Sequence, residues 1–205
     1  DKIYINRATK GVYELGSVFK TFTLAAGINE GVIDTDTEFI DLPKKIWCAG
    51  NPIGEYDDKI PTNLTAEQIF VRSGNIGSVR IAQKIGIKKF ENFLNKIGIL
   101  EKLEFDIYEV GEPQAGRWGK CKLATAAFGH GISTTLLQLA KAYAIIVNGG
   151  YEVKPTLIKK DYNKKAERIR ILNEQVSNKV NPILRKVVSS EEGTASFANV
   201  SGYMV

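Results

Sequence analysis

Apolar residues recur at the spacing of α-helices along most of this chain. Val18, Phe22 and Ala25, for example, fall on one stripe of a helix. Patterns of this kind predict helices over residues 16–29, 64–73, 75–86, 87–99, 123–128, 135–148 and 173–190. Residues 35–63, in contrast, are rich in Pro, Gly and Asp and predict loop with short strand pieces. Residues 110–120 are loop-like and residues 151–160 form an extended run, so helix predominates and strands are few.

Several helix boundaries are marked by residues that favour the ends of helices. Thr65 followed by Gln68 matches a capping box, in which each side chain accepts a hydrogen bond from the backbone amide of the other residue. Asn173 is a plausible cap for the last helix, and Gly86 separates the third helix from the fourth. Gly149 and Gly150 end the helix that precedes them.

The composition is that of a globular protein and does not by itself indicate a function. The 205 residues are 43% hydrophobic and 25% charged, which is the balance of one ordinary globular domain. The net charge of +5 is carried by scattered lysine pairs, which predicts a solvated surface and not a nucleic-acid patch. No apolar run reaches 18 residues, so no membrane span is predicted. Cys48 and Cys121 lack the spacing of a zinc site, and they leave a disulfide open.

Ser17 and Lys20 are the first candidates for chemistry. The chain has one histidine, no G-x-S-x-G and no phosphate-binding loop, so a nucleophilic serine would need a base such as lysine. Positions i and i+3 share a helix face, which brings Ser17 close to Lys20. A hydroxyl in the first turn would also lie at the positive end of the helix dipole. The alternative is a serine that caps a helix, followed by a surface lysine.

Ser73 and Asn75 form the second candidate, at a turn between two predicted helices. A hydroxyl and an amide at this spacing can relay a proton and hold a substrate carbonyl. Alternatively, Ser-Gly-Asn is ordinary turn chemistry.

Taken together, these segments resemble the class B penicillin-binding proteins, and among them the division-type transpeptidases. The resemblance lies in "NRATKGVYELGSVFK", "SGNIGSVRIAQKIG" and "FGHGISTTLLQLAKAYAIIVNGG", which occur in the family's order and cover nearly the whole chain. It implies the α/β (α+β) fold of penicillin-binding proteins and serine β-lactamases. Within that fold, residues 1–205 would form a partial transpeptidase domain, mostly its helical part, with most of the central sheet missing.

The resemblance also implies a mechanism and its residues. Ser17 would be the acylated nucleophile, Lys20 its base, Ser73 a proton relay and Asn75 a ligand of the donor peptide. Residues 129–131 (Gly129, His130 and Gly131) would border the substrate groove. The implied activity is cross-linking of peptidoglycan stem peptides that end in D-Ala-D-Ala, with β-lactams as inhibitors, division or elongation proteins as partners, and no metal or cofactor. The implied location is the periplasmic face of the bacterial inner membrane.

Some residues depart from the family's pattern. Leu15, Gly74 and His130 stand where Pro, Ser and Tyr are common, and Gly74 would leave the pose of Ser73 less constrained. The family's K-T-G strand motif is absent from the sequence. Because the chain also begins without Met, we expect it to be part of a longer, membrane-anchored protein and to be inactive or weakly active alone.

Other interpretations use smaller parts of the chain. Residues 64–98 can be interpreted as a helix-turn-helix of a basic DNA-binding protein, with residues 79–90 as the recognition element. A catalytically silent helical surface that binds partners is a third possibility. "ENFLN" at residues 91–95 imitates a β-lactamase motif, but its amphipathic pattern favours a structural helix.

Overall fold

The computed structural model describes residues 4–159 and 168–205. A 3₁₀ turn at Gly16–Phe19 leads directly into the first helix, and a second 3₁₀ turn lies at Ser196–Ala198. The helices are α1 (Lys20–Asn29), α2 (Ala66–Val71), α3 (Asn75–Ile85), α4 (Ile87–Lys96), α5 (Lys120–Ala126), α6 (Leu136–Val147) and α7 (Glu174–Ser189). The strands are β1 (Val12–Glu14), β2 (Glu38–Phe39), β3 (Lys45–Cys48), β4 (Asn51–Gly54), β5 (Leu64–Thr65) and β6 (Ser133–Thr135).

Helix α1 lies at the centre of the core. Its residues from Lys20 to Ile28 are all buried, and the helix packs against α2, α3, α4 and α7. Close packing is possible because small residues face the neighbours: a side-chain carbon at Gly27 would lie 2.7 Å from Ile33. A helix buried on every side holds its first residues rigidly, and those residues include Lys20.

The strands of the described part form three two-stranded antiparallel sheets. Strand β1 pairs with β6, with Tyr13 opposite Thr134, and so places the chain just before Ser17 against a segment far along the sequence. Strand β2 pairs with β5, and β3 pairs with β4 as a hairpin. This predominance of helix with few strands is the architecture that the sequence predicted.

Helix boundaries follow the caps. The capping box of Thr65 and Gln68 is confirmed, and Asn173 caps α7 by accepting a hydrogen bond from the Gln175 amide at 3.0 Å. A second capping box, Thr135 with Gln138, begins α6 and was not predicted. The predicted helix at 64–73 is shorter than expected, because residues 64–65 pair as β5, while α5 begins earlier, at Lys120. The extended run at 151–160 includes a bridge from Tyr151 to Arg170, and its last residue lies outside the described residues.

A disulfide joins Cys48, at the end of β3, to Cys121 in α5. The sequence left this bond open, because neither cysteine lies in a recognisable motif. The bond ties the β3–β4 hairpin to the helix that precedes the Gly129–Gly131 turn, and both segments border the candidate site.

Candidate active site

Ser17 lies in the 3₁₀ turn that precedes α1, so its hydroxyl sits at the start of a helical segment, as predicted. The residue is exposed, and within the described part of the chain its side chain makes no hydrogen bond. Tyr143 of α6 holds the turn from outside: its hydroxyl donates to the Val18 carbonyl at 2.7 Å. The same Tyr143 hydroxyl is 2.7 Å from Thr21 Oγ1. The turn is thus fixed while the serine remains open to solvent.

Lys20 is the first residue of α1 and is only 2% exposed. Its ammonium group donates to the hydroxyl of Ser73 at 2.8 Å and to the Ser73 carbonyl at 2.6 Å. The structure therefore brings together two of the four predicted catalytic side chains by direct contact.

Burial changes the acidity of this lysine. Loss of hydration lowers the pKa of Lys20 from 10.5 to about 8, and the negative charge of Glu55 acts in the opposite direction. With a pKa of about 8, about a tenth of the molecules carry a neutral amine at pH 7. A neutral amine can accept a proton, so Lys20 has the property that a general base requires.

Ser73 adopts a left-handed backbone conformation with φ of +54°. It directly follows α2: the Ser73 amide donates to the Phe70 carbonyl at 2.9 Å, and the Gly74 amide donates to the Ile69 carbonyl at 2.8 Å. Glycine is the usual residue at such a helix end, because other residues cost about 1 kcal/mol there. Gly74 itself has an ordinary φ of −68°, so the expected freedom at position 74 is not used and the pose of Ser73 is set by the end of α2.

Asn75 is the first residue of α3 and is held by the β3–β4 hairpin. Its side-chain amide donates to the Gly54 carbonyl at 2.9 Å, and its backbone amide donates to the Glu55 carboxylate at 2.6 Å. Ser73 and Asn75 therefore face different parts of the site, with Ser73 toward Lys20 and Asn75 toward the hairpin.

Two cavities adjoin these residues. A cavity of about 250 Å³ is lined by Ser17, Lys20 and Ser73, with Tyr143 and side chains of α7 on its other walls. A larger cavity of about 670 Å³ is lined by Asn75 and His130 together with the disulfide. Five of the predicted catalytic and substrate-binding residues therefore line one or the other cavity, whereas Gly129 and Gly131 line neither.

Gly129 and Gly131 have structural reasons for being glycine. Gly129 has φ of +79°, and a side-chain carbon there would lie 2.1 Å from the Gly16 carbonyl oxygen. The Gly16 amide in turn donates to the Gly129 carbonyl at 3.2 Å. Gly131 donates its amide to the Glu14 carboxylate at 2.8 Å. The turn around His130 is thereby held against the segment that carries Ser17.

His130 lies on the rim and not at the reacting pair. Its ring stacks on Phe128, with centroids 6.4 Å apart, and its Nδ1 atom is 3.1 Å from the Glu14 carboxylate. Its side chain is 67% exposed and lines the larger cavity. His130 therefore packs locally, which is one of the two expected roles, and its place beside a substrate groove stays a prediction.

Comparison with known proteins decides the family. The family model for the penicillin-binding protein transpeptidase domain matches residues 2–205. The chain belongs to this family. Among class B members, it is 32% identical over 205 residues to the probable peptidoglycan D,D-transpeptidase FtsI of Caulobacter vibrioides. That match covers 98% of this chain and 34% of the relative, so the chain spans about a third of the length of this curated relative.

Solved structures of penicillin-binding proteins have the same fold. The transpeptidase domain of penicillin-binding protein 3 from Burkholderia pseudomallei superposes with a TM-score of 0.88 at 26% identity, covering 97% of this chain and 60% of that one. Penicillin-binding protein 3 of Mycobacterium tuberculosis in complex with aztreonam gives a TM-score of 0.83 at 25% identity, covering 97% and 48%. The α/β fold expected for a penicillin-binding protein is confirmed.

Some side chains around the site were not predicted to take part in it. Glu55 lies outside the quoted motifs, and Tyr143 lies within the third quoted segment, but their contacts with Asn75 and Val18 join residues that are distant in sequence. Glu14 was quoted within the nucleophile segment, but its contacts with His130 and Gly131 required the fold. Within the described residues, no cluster of three metal-ligating side chains occurs and no helix is long and apolar enough to cross a membrane.

The helix-turn-helix interpretation does not fit this structure. Gly86 breaks the proposed recognition element into the end of α3 and the start of α4. Helix α3 is also buried through Ile76, Val79 and Ala82 and packs between α1 and α5. A helix that enters the major groove of DNA must instead expose one face. "ENFLN" lies in α4, where Phe93 and Leu94 are buried, which agrees with a structural helix.

Proposed function

We propose that this chain supplies the serine acyl-transfer residues of a peptidoglycan D,D-transpeptidase. The contact that carries the proposal is the buried Lys20 amine on Ser73, beside a cavity that Ser17 also lines. The names of the relatives support the same reaction class, since several are called peptidoglycan D,D-transpeptidases. Because the chain spans only part of these relatives, the activity is proposed for the protein that contains it.

The proposed first half-reaction forms an acyl-enzyme. Neutral Lys20 accepts the proton of the Ser17 hydroxyl as Ser17 Oγ attacks the carbonyl carbon between the two D-Ala residues of a stem peptide. The tetrahedral intermediate then collapses: the bond to the terminal D-Ala breaks, and the leaving amine takes a proton through Ser73. The products of this step are a Ser17 ester and free D-Ala.

In the proposed second half-reaction, an amine of a neighbouring stem peptide attacks the Ser17 ester. A new amide bond forms, the Ser17 hydroxyl regains its proton through Lys20, and the two stems are cross-linked. Asn75 would hold the backbone of the donor peptide, and the Gly129–Gly131 turn would border it. A β-lactam would acylate Ser17 in the same way and remain attached because its ring opens without releasing a leaving group.

We place this reaction at the periplasmic face of the bacterial inner membrane, where peptidoglycan is cross-linked. The Cys48–Cys121 disulfide supports an oxidising compartment. The resemblance to division-type transpeptidases supports a role in division, with division or elongation proteins as partners.

Covalent labelling tests the proposal directly. The full-length gene product that contains this chain should react with a fluorescent penicillin, and intact-mass and peptide mapping should locate the adduct on Ser17. Ser17→Ala should abolish the label, whereas the exposed Ser201→Ala serves as the matched control and should keep it. Unchanged labelling of Ser17→Ala, or an unreactive wild type, would rule out the proposal.

A further inference from the structure

Glu55 follows directly after β4 and is aimed at the start of α3. One of its carboxylate oxygens accepts from the Asn75 amide at 2.6 Å, and the other accepts from the Ile76 amide at 2.9 Å. A carboxylate that binds two successive amides satisfies donors that a helix N-terminus leaves unpaired, and it also complements the helix dipole. The bond is made across 20 residues of sequence, so it joins two separate segments of the fold.

The same hairpin end also holds the side chain of Asn75. The Gly54 carbonyl accepts from the Asn75 side-chain amide at 2.9 Å. Asn75 is therefore fixed at its backbone by Glu55 and at its side chain by Gly54. The hairpin is in turn tied to α5 by the Cys48–Cys121 disulfide, so the position of the Ser73–Asn75 turn depends on a braced support.

The charge of Glu55 also acts on Lys20, which contacts Ser73 at the other end of the turn. Burial lowers the pKa of Lys20, and the field of Glu55 partly opposes this effect. In the described residues that line the Ser17 cavity, Tyr143 is the other titratable group, and burial raises its pKa so that it stays neutral at pH 7. Glu55 is therefore the charged side chain that adjusts the protonation of Lys20.

We propose that Glu55 is a positioning residue for acyl transfer, because its carboxylate locks the Ser73–Asn75 turn in place and sets the electrostatic field at Lys20. It acts through the turn and through Lys20 and does not contact the substrate. This inference rests on the proposed transpeptidase function and adds a residue that the motifs do not contain.

Two substitutions separate the roles of Glu55. Glu55→Ala removes both acceptors, so the rate of Ser17 acylation by a fluorescent penicillin should fall by about tenfold or more on the high-pH plateau, where Lys20 is neutral in both proteins. Glu55→Gln keeps one acceptor oxygen but loses the charge. The acylation rate rises with pH as Lys20 loses its proton, so loss of the carboxylate, which lowers the Lys20 pKa further, should move the midpoint of this rise to lower pH.

The matched control removes the cap at the N-terminal end of α7, whereas the α7 residues that line the Ser17 cavity lie from Leu184 onward. Asn173→Ala deletes the cap of α7 and should lower stability without moving the pH midpoint. The full-length gene product is used throughout, and urea denaturation confirms that each variant is folded. An unmoved midpoint in Glu55→Gln, together with a loss in Glu55→Ala no larger than that of Asn173→Ala, would overturn the inference.

A second readout does not depend on catalysis. NMR titration of ¹³C-labelled lysine gives the Lys20 pKa in the wild type and in Glu55→Gln, and amide resonances of Asn75 and Ile76 report the turn. If the wild type is not acylated at all, the transpeptidase proposal fails. The titration still decides on Glu55: a lowered Lys20 pKa and shifted amides in Glu55→Gln support its effect on the turn, and unchanged values overturn it.

Discussion

Lys20 places an amine in the protein interior, with 2% of its surface exposed and only the hydroxyl and carbonyl of Ser73 as hydrogen-bond acceptors in the described structure. Its lowered pKa, about 8, means that the charged form is less favourable in the folded state than in the unfolded chain. At neutral pH most of the molecules nevertheless carry this buried charge. The residue that can act as a base is therefore one that destabilises the fold.

This conflict predicts that Lys20→Met stabilises the protein at pH 7, by up to about 3 kcal/mol. Between pH 8 and 10.5 the unfolded chain keeps a proton on Lys20 that the folded protein has lost, so wild-type stability rises with pH in this window. The advantage of Lys20→Met should therefore shrink there. Urea unfolding at several pH values measures the difference, with the exposed Lys88→Met as control. A pH-independent difference would contradict the assignment.

Ser73 is the second residue in which function and stability oppose each other. Its positive φ favours glycine, while proton relay would require its hydroxyl. Ser73→Gly and Ser73→Ala both lose the hydroxyl that accepts from Lys20, so we expect both to slow Ser17 acylation, with Ser73→Gly the more stable of the two by up to about 1 kcal/mol because glycine fits the positive φ. Thermal unfolding and penicillin labelling test this pair, and equal labelling by Ser73→Gly and wild type would refute a role for the hydroxyl.

At the scale of elements, local patterns in the sequence predicted the helices. The features that were not predicted, strand pairing and the exact helix lengths, depend on contacts between segments that are distant in sequence. The Thr65 capping box and the break at Gly86 depend on neighbouring residues, and both were found. The pairing of β1 with β6 joins Tyr13 to Thr134, which no local pattern records. Pairing of β2 with β5 likewise shortened the predicted second helix.

The same distinction applies to the candidate site. Ser17 and Lys20 share a helical segment, so their spacing alone brought them together in the prediction. The contact of Lys20 with Ser73 spans 53 residues and was not predicted, since the family resemblance implied only a role for each residue. Glu55 lies outside the quoted motifs, and its role depends on where the β3–β4 hairpin packs.

The disulfide gives an element-scale prediction about that hairpin. The disulfide closes a loop of 73 residues. In the chain-entropy description this lowers the conformational entropy of the unfolded chain and so raises the free energy of unfolding by about 4 kcal/mol. The double variant Cys48→Ala, Cys121→Ala should therefore lose stability of that order in urea denaturation. Acylation of Ser17 should slow as well, since the hairpin that holds Asn75 loses its brace.

Reduction supplies the control for the disulfide. Dithiothreitol should lower the stability of the wild type toward that of the double variant and leave the double variant unchanged. A wild type that keeps both its stability and its acylation rate under reducing conditions, with free thiols confirmed by mass, would show that the bond does not brace the site.

At the scale of the whole molecule, one hydrophobic cluster connects the described segments. It extends from Phe19 at the start of the site to Ile183 in α7, with Phe90 and Phe93 among its largest buried side chains. A continuous core of this kind favours cooperative folding of the described residues. The Ser17 cavity nevertheless has little positive charge, because Lys20 is the one cation among the described residues that line it.

A penicillin and a D-Ala-D-Ala stem each carry a carboxylate that needs a cationic partner, and Lys20 is already committed to Ser73. The K-T-G motif, which the family resemblance implies for this role, does not occur in residues 1–205. We therefore expect residues 1–205, expressed alone, to unfold cooperatively in urea but to label with fluorescent penicillin at least about 100-fold more slowly than the full-length gene product. Both proteins are compared at equal concentration, with full-length Ser17→Ala as the blank. Equal labelling rates would contradict this expectation. They would mean that the 205 residues already bind the carboxylate through a group other than the lysine of K-T-G.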